Sequence, residues 1–145
     1  MKPGKGRTLP RAAALLVLAV VGLAPVACGG AGAPTAPGVC WRSLSAPPAP
    51  PRFVALAANV ATLDDCAAQL EAIHLLGGRA VDGAFQGYFI FADARAVSSS
   101  TGRTGFRYPV FQPSQRREID ADLRGLIEDR GGRLPSAGDI AVLRR

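Results

Sequence analysis

Few side chains in this 145-residue chain are equipped for chemistry. There are three cysteines (Cys28, Cys40 and Cys66), a single histidine (His74), and no lysine beyond Lys5. A thiol nucleophile needs a base within hydrogen-bond reach. Cys66 and His74 are eight positions apart, which is about 12 Å along one helix, so neither is assigned a catalytic role. A structural metal centre takes about four nitrogen or sulfur ligands, more than two distant cysteines and one histidine supply. Glu71, Asp82 and Asp93 are the acids that general acid–base catalysis would pair, and nothing in their spacing brings them together. No catalytic, metal or cofactor residue is therefore assigned, and the chain is read as non-catalytic. His74, on the apolar stripe of a helix near its end, is read as a structural residue and not as a titrating base.

The elements around these residues begin with a leader. Lys2, Lys5, Arg7 and Arg11 lie among the first eleven residues, where there is no acid, and residues 12–24 are apolar apart from Gly22. A basic segment, a short apolar run and then small residues describe a bacterial export signal over residues 1–27. At 1.5 Å rise per residue the run falls short of a hydrocarbon core about 30 Å thick. No charge lies between Arg11 and Arg42, so an uncleaved anchor is a third reading, after a lipidated and a soluble product. The formal net charge of +6 largely reflects this leader; without its four cations, thirteen Lys and Arg face eleven acids. The domain is not a polyanion binder by charge, and no nucleic acid is expected as a partner.

Val26-Ala27-Cys28-Gly29 resembles the end of a bacterial lipoprotein signal, with Pro25 where that family carries a Leu-like residue. The resemblance implies lipidation at Cys28, which then becomes the new N-terminus. Ordinary cleavage near Ala27 or Ala33 is the alternative. Both place the domain in the periplasm, free or membrane-anchored, and lipidation of Cys28 or cleavage beyond it leaves Cys40 and Cys66 as an even pair. Outside the cytoplasm the default for such a pair is a disulfide. The loop it closes, about 25 residues, corresponds to roughly 3 kcal/mol in the chain-entropy model.

Residues 28–51 are rich in Gly, Ala and Pro and read as a tether. Val39-Cys40-Trp41 interrupts it, with Trp41 expected to dock on the domain. A small domain follows over residues 52–131. Residues 52–60 read as a strand. Thr62 then caps a helix whose apolar positions, Leu63 to His74, recur at three and four, and Gly77-Gly78 ends it. Residues 79–92 are the best strand material, with a hairpin turn expected at Asp82-Gly83. Phe85, Phe89 and Phe91 are then expected on one face of the second strand. Residues 98–105 read as a polar loop. Residues 106–112 read as an edge strand or extended arm around Pro109. A second helix over 113–130 buries Ile119, Leu123, Leu126 and Ile127, and turns Arg116, Asp120, Arg124 and Glu128 to solvent. The tail, residues 132–145, reads as an added edge strand or loose chain.

This order predicts an α+β fold: a small antiparallel or mixed sheet with two helices packed on one face, in β-α-β-β-α order, with a ferredoxin-like arrangement as the candidate. The order is similar to that of bacterial peptidoglycan-binding SPOR domains. Two functions follow as expectations. The first is a non-catalytic envelope protein that binds or stabilises a partner or membrane complex, with Phe106, Tyr108 and Phe111 as its contact surface. The second, implied by the SPOR-like order, is a cell-wall glycan-binding module with Trp41 and Tyr88 as stacking residues.

Overall fold

The computed structural model describes residues 32–45 and 48–143; the expected signal segment and Cys28 lie outside them. Over the described residues the fold is α+β, with six antiparallel strands and three helices. The strongest strand material forms a hairpin, β3 (Val81–Phe85) and β4 (Tyr88–Ala92). Its turn is Gln86-Gly87, with φ of 45° and 87°. Positive φ at both central residues gives the primed turn whose twist matches its strands.

The turn expected at Asp82-Gly83 is not there, because both residues lie within β3. Gly83 serves close approach instead. A Cβ at this position would run into Leu70 of the first helix and the backbone carbonyl of Trp41. Moving the turn moves the side chains. Phe85 ends β3 opposite Cys40, on the side of the disulfide and the helix, while Phe89 and Phe91 occupy the other face. They do not share one face.

The stretch read as tether supplies β1 (Cys40–Ser43), which pairs with both β2 (Phe53–Ala57) and β3. The four residues carry no proline, and the prolines that suggested a tether fall on either side of them. The sheet order is β2-β1-β3-β4-β5-β6, completed by β5 (Val97–Ser100) and an edge strand β6 (Tyr108–Pro109). β2 and β3 flank β1 and are joined through the first helix, a split βαβ unit. The ferredoxin-like arrangement stops there, because the second long helix leads into a third helix and not into a returning strand.

Helix α1 (Leu63–Gly77) starts where expected. Thr62 Oγ1 accepts from the Asp65 amide at 3.1 Å, and Gly78, at φ 63°, closes the helix. Every residue from Cys66 to Ala72 is buried. Three of those seven are alanines, so α1 fits between layers: β1, β3 and β4 on one side, α2 (Pro113–Asp129) and α3 (Ala137–Leu143) on the other. Thus α2 rests on α1 and not on the sheet. Its apolar stripe is narrow, and Leu123 is its one buried residue. The tail forms α3, started by Ser136 and anchored by Ile140, which is 1 % exposed.

Candidate functional site

The bond between Cys40 and Cys66 is formed, and both residues are completely buried. It ties β1 to the start of α1, so these sulfurs are structural. His74 Nδ1 lies 2.7 Å from the Arg79 carbonyl, a contact that closes the α1–β3 connection. Among the described residues, no three His, Cys, Asp or Glu side chains are grouped to hold a metal, and no helix is long and apolar enough to cross a membrane.

Strand alternation puts Trp41, Phe53, Phe89 and Phe91 on the face of the sheet away from α1. Phe53 and Phe89 lie 6.1 Å apart, Phe89 and Phe91 6.4 Å apart. Arginines from the 101–107 loop lie over this floor. The Arg107 guanidinium sits 3.6 Å from the Phe91 ring centre, a cation–π contact. Arg103 reaches the Ala49 carbonyl at 3.1 Å. Asp82 projects from the same face. Burial raises its pKa above the ordinary 3.8, against the charges of Arg103 and Arg107, while nearby Asp93 adds to the rise. Trp41 is half-buried, and its Nε1 is enclosed with no hydrogen-bond partner among the described residues. An open pocket of about 280 Å³ adjoins this face, lined by Arg42, Ser43, Leu44, Ser45, Ala80, Val81 and Asp82.

The two ends of the sheet differ. Arg52 precedes β2, Arg79 precedes β3, and Arg95 lies in the β4–β5 turn, all at one end by register. Arg42 lines the pocket beside them, and none of the four forms an ion pair among the described residues. At the other end, Tyr88 starts β4, and β5 hands over to the 101–107 loop, which returns as β6. Tyr88 is 46 %, Phe106 75 % and Tyr108 64 % exposed, and the rings of Phe106 and Tyr108 pair at 5.0 Å. Phe111 departs from its expected role as a contact residue. Beyond β6 the Val110 amide bonds back to the Val97 carbonyl, and the turn carries Phe111 into the core at 5 % exposure.

Two of the acids singled out in the sequence, Glu71 and Asp93, are linked through an arginine that the sequence placed in solvent, while Asp82 lies apart from it. Arg116 donates to Glu71 Oε1 and to the Asp93 carbonyl, and its side chain is 14 % exposed. The Asp93 carboxylate is occupied by the Arg95 and Ala96 amides, at 2.7 and 3.1 Å. This knot joins α1, α2 and the β4–β5 turn. The i, i+4 spacing of Arg116 and Asp120 was visible in the sequence; the contact with Glu71, 45 positions away, was not.

No family model, no curated protein and no solved structure matches this chain.

Proposed function

We propose that this chain is a small exported envelope protein without catalytic activity, held at the membrane through Cys28, whose domain binds or stabilises a partner protein. The observation that carries the reading is the Cys40–Cys66 bridge, completely buried in the domain that follows the apolar leader. A disulfide that closes a small core is the device of chains that fold in an oxidising compartment. The polar groups support a binding role over a chemical one, since the buried acid, Glu71, is committed to Arg116. The arginine-bearing end, with Arg42, Arg52, Arg79 and Arg95, suits an acidic segment on the partner.

The test is the intact mass of the endogenous chain, with and without reduction. A mass starting at Cys28 with added acyl groups, and a gain of about 2 Da on reduction, is the expected result. A full-length, unmodified chain recovered from the cytosol with free thiols overturns the reading. Retention of the purified chain on peptidoglycan would favour the glycan-binding alternative over a protein partner.

A further inference from the structure

We infer that the end of the sheet bearing the Gln86-Gly87 turn docks on the bilayer surface, with Tyr88, Phe106 and Tyr108 seated among the lipid headgroups. The inference rests on the tethering at Cys28 proposed above, and says which surface of the domain the tether presents to lipid.

Chain length comes first. Cys28 and Pro34 are six positions apart. Fully extended, six residues reach about 21 Å at most. Pro34 is fixed to the domain, because its carbonyl accepts from the Gly87 amide at 2.8 Å. Thr35 lies against the same glycine. A lipid on Cys28 therefore holds the Gln86-Gly87 turn close to the bilayer and turns the opposite, arginine-bearing end away from it.

The side chains at the tethered end fit that location. Tyr88 follows the turn directly. The register sets Ser100 against Phe89 and Tyr108 against Ser99, so the 101–107 loop with Phe106 opens at the same end. Tyr88 thus adjoins the point where the tether meets the domain, and Phe106 and Tyr108 lie beyond it on the β5–β6 side. Aromatic side chains concentrate at the headgroup level, where a ring is partly desolvated and a phenol stays wet. An anchor of several acyl chains already retains the chain at the membrane, so the ring contacts orient the domain on the bilayer. The charge at this end does not explain binding. Asp64 and Asp65 open α1 at this end, while Arg103 and Arg107 of the loop turn away over the sheet face to Ala49 and Phe91. Ring burial carries the contact, so salt should leave it intact.

The lipidated chain beginning at Cys28, purified from membranes, is reconstituted into vesicles of phosphatidylethanolamine and phosphatidylglycerol, part of the lipid being brominated. A Trp41→Phe background removes the native indole, and Phe106→Trp or Leu76→Trp supplies one probe at either end. Leu76 is 41 % exposed near the C-terminal end of α1. The expected result is blue-shifted emission from the probe at 106 and quenching of about twofold by brominated lipid, with the probe at 76 unquenched and high salt without effect. Should Trp41→Phe unfold the domain, the extra quenching of Phe106→Trp over the unsubstituted chain is read instead. If the chain floats with the vesicles but neither probe is quenched, or both equally, the docking inference falls and the tether stands. Quenching abolished by salt would replace ring burial with charge, and also overturns it. If the chain does not float at all, the tether itself has failed and takes the docking surface with it.

Discussion

Arg116, in the first turn of α2, donates from Nε at 3.0 Å and from Nη2 at 2.6 Å to a single oxygen of Glu71, Oε1, in the middle of α1. Glu71 is completely buried, and the same guanidinium lies 3.8 Å from Asp120 and bonds the Asp93 carbonyl. Glu71 Oε2 and Asp120 Oδ1 are buried without a hydrogen-bond donor among the described residues. The arginine therefore holds together two helices and a strand turn around a carboxylate that water does not reach.

Removing the cation should cost more than removing the pair. Arg116→Ala leaves the Glu71 carboxylate buried and unpaired, a loss of about 3–5 kcal/mol. Replacing both residues with leucine should cost distinctly less, since an apolar pair has no desolvation to offset. Urea denaturation of the two variants checks the order. A double variant as unstable as Arg116→Ala would assign the loss to shape and not to the unpaired charge.

The same carboxylate gives the stability a pH profile. Burial pushes the Glu71 pKa above its ordinary 4.5; Arg116 opposes this and Asp120 reinforces it. A raised folded-state value means that the folded chain holds this proton more tightly than the unfolded chain. Stability from Glu71 therefore falls as pH rises from about 4.5 through the raised value. Asp82, raised above 3.8 chiefly by burial, acts in the same direction. Asp93 and Asp139 act in the opposite sense. Burial resists ionisation of Asp93, but the Arg95 and Ala96 amides and the charges of Arg107 and Arg116 outweigh it; at Asp139 the bonds from Ser136 dominate. Both values lie below 3.8, so their contribution is present above that pH and is lost as pH falls further. Denaturation midpoints should be highest in mild acid and decline toward neutrality, with Glu71→Gln flattening the decline. A midpoint that climbs steadily from mild acid to neutral would contradict this.

Local signals in the sequence located the elements that local physics controls. Thr62 and Gly78 bound α1 because capping is decided within a few residues, and the 3.6 period revealed the stripe of α2. The Cys40–Cys66 bridge was legible because few thiols leave few pairings. Three features were hidden because distant partners decide them. Proline content around Cys40–Ser43 concealed a strand that is stabilised by pairing with both neighbours. Asp82-Gly83 has turn chemistry, but Leu70 and β1 require the glycine for space. Arg116 has the spacing of a solvated ion pair with Asp120, and only the packing of α2 on α1 brings it to Glu71. Of the candidate surface residues, Phe106 and Tyr108 are exposed while Phe111 is not, a distinction set by one backbone turn after β6.

Two glycines should respond oppositely to alanine. At Gly83 the added Cβ meets the Trp41 backbone as well as the end of Leu70, so β1 and β3 must separate. A loss of about 2 kcal/mol or more is expected, at the upper part of the range for overpacked cores. Gly125, within α2, has nothing within 4 Å of its Cβ position. There the same substitution should add about 0.5–1 kcal/mol through helix propensity. Thermal or urea unfolding of the two variants side by side provides the check, and a neutral Gly83→Ala would refute the close approach of β1, β3 and α1.

The β3–β4 turn offers the last test, because its two residues have unequal claims to their conformation. Gln86 holds φ of 45° with a long side chain, whereas Gly87, at φ 87°, has no Cβ to strain. Asparagine tolerates this region far better than glutamine, and Asn-Gly is the preferred pair for such a turn. Gln86→Asn should therefore stabilise the domain by about 0.5 kcal/mol, and Gly87→Ala should destabilise it by about 1 kcal/mol or more. The second change meets Thr35 only at an ordinary contact of 3.6 Å, so its cost comes from the backbone conformation; the turn is also tied to the Thr35 segment through the bond between the Pro34 carbonyl and the Gly87 amide. Hydrogen exchange at the Gly87 amide separates the two effects. It should slow in Gln86→Asn, where the turn is strengthened, and accelerate in Gly87→Ala beyond what the global loss of stability accounts for. Equal stability in both variants would mean that the turn contributes nothing to holding β3 and β4 in register.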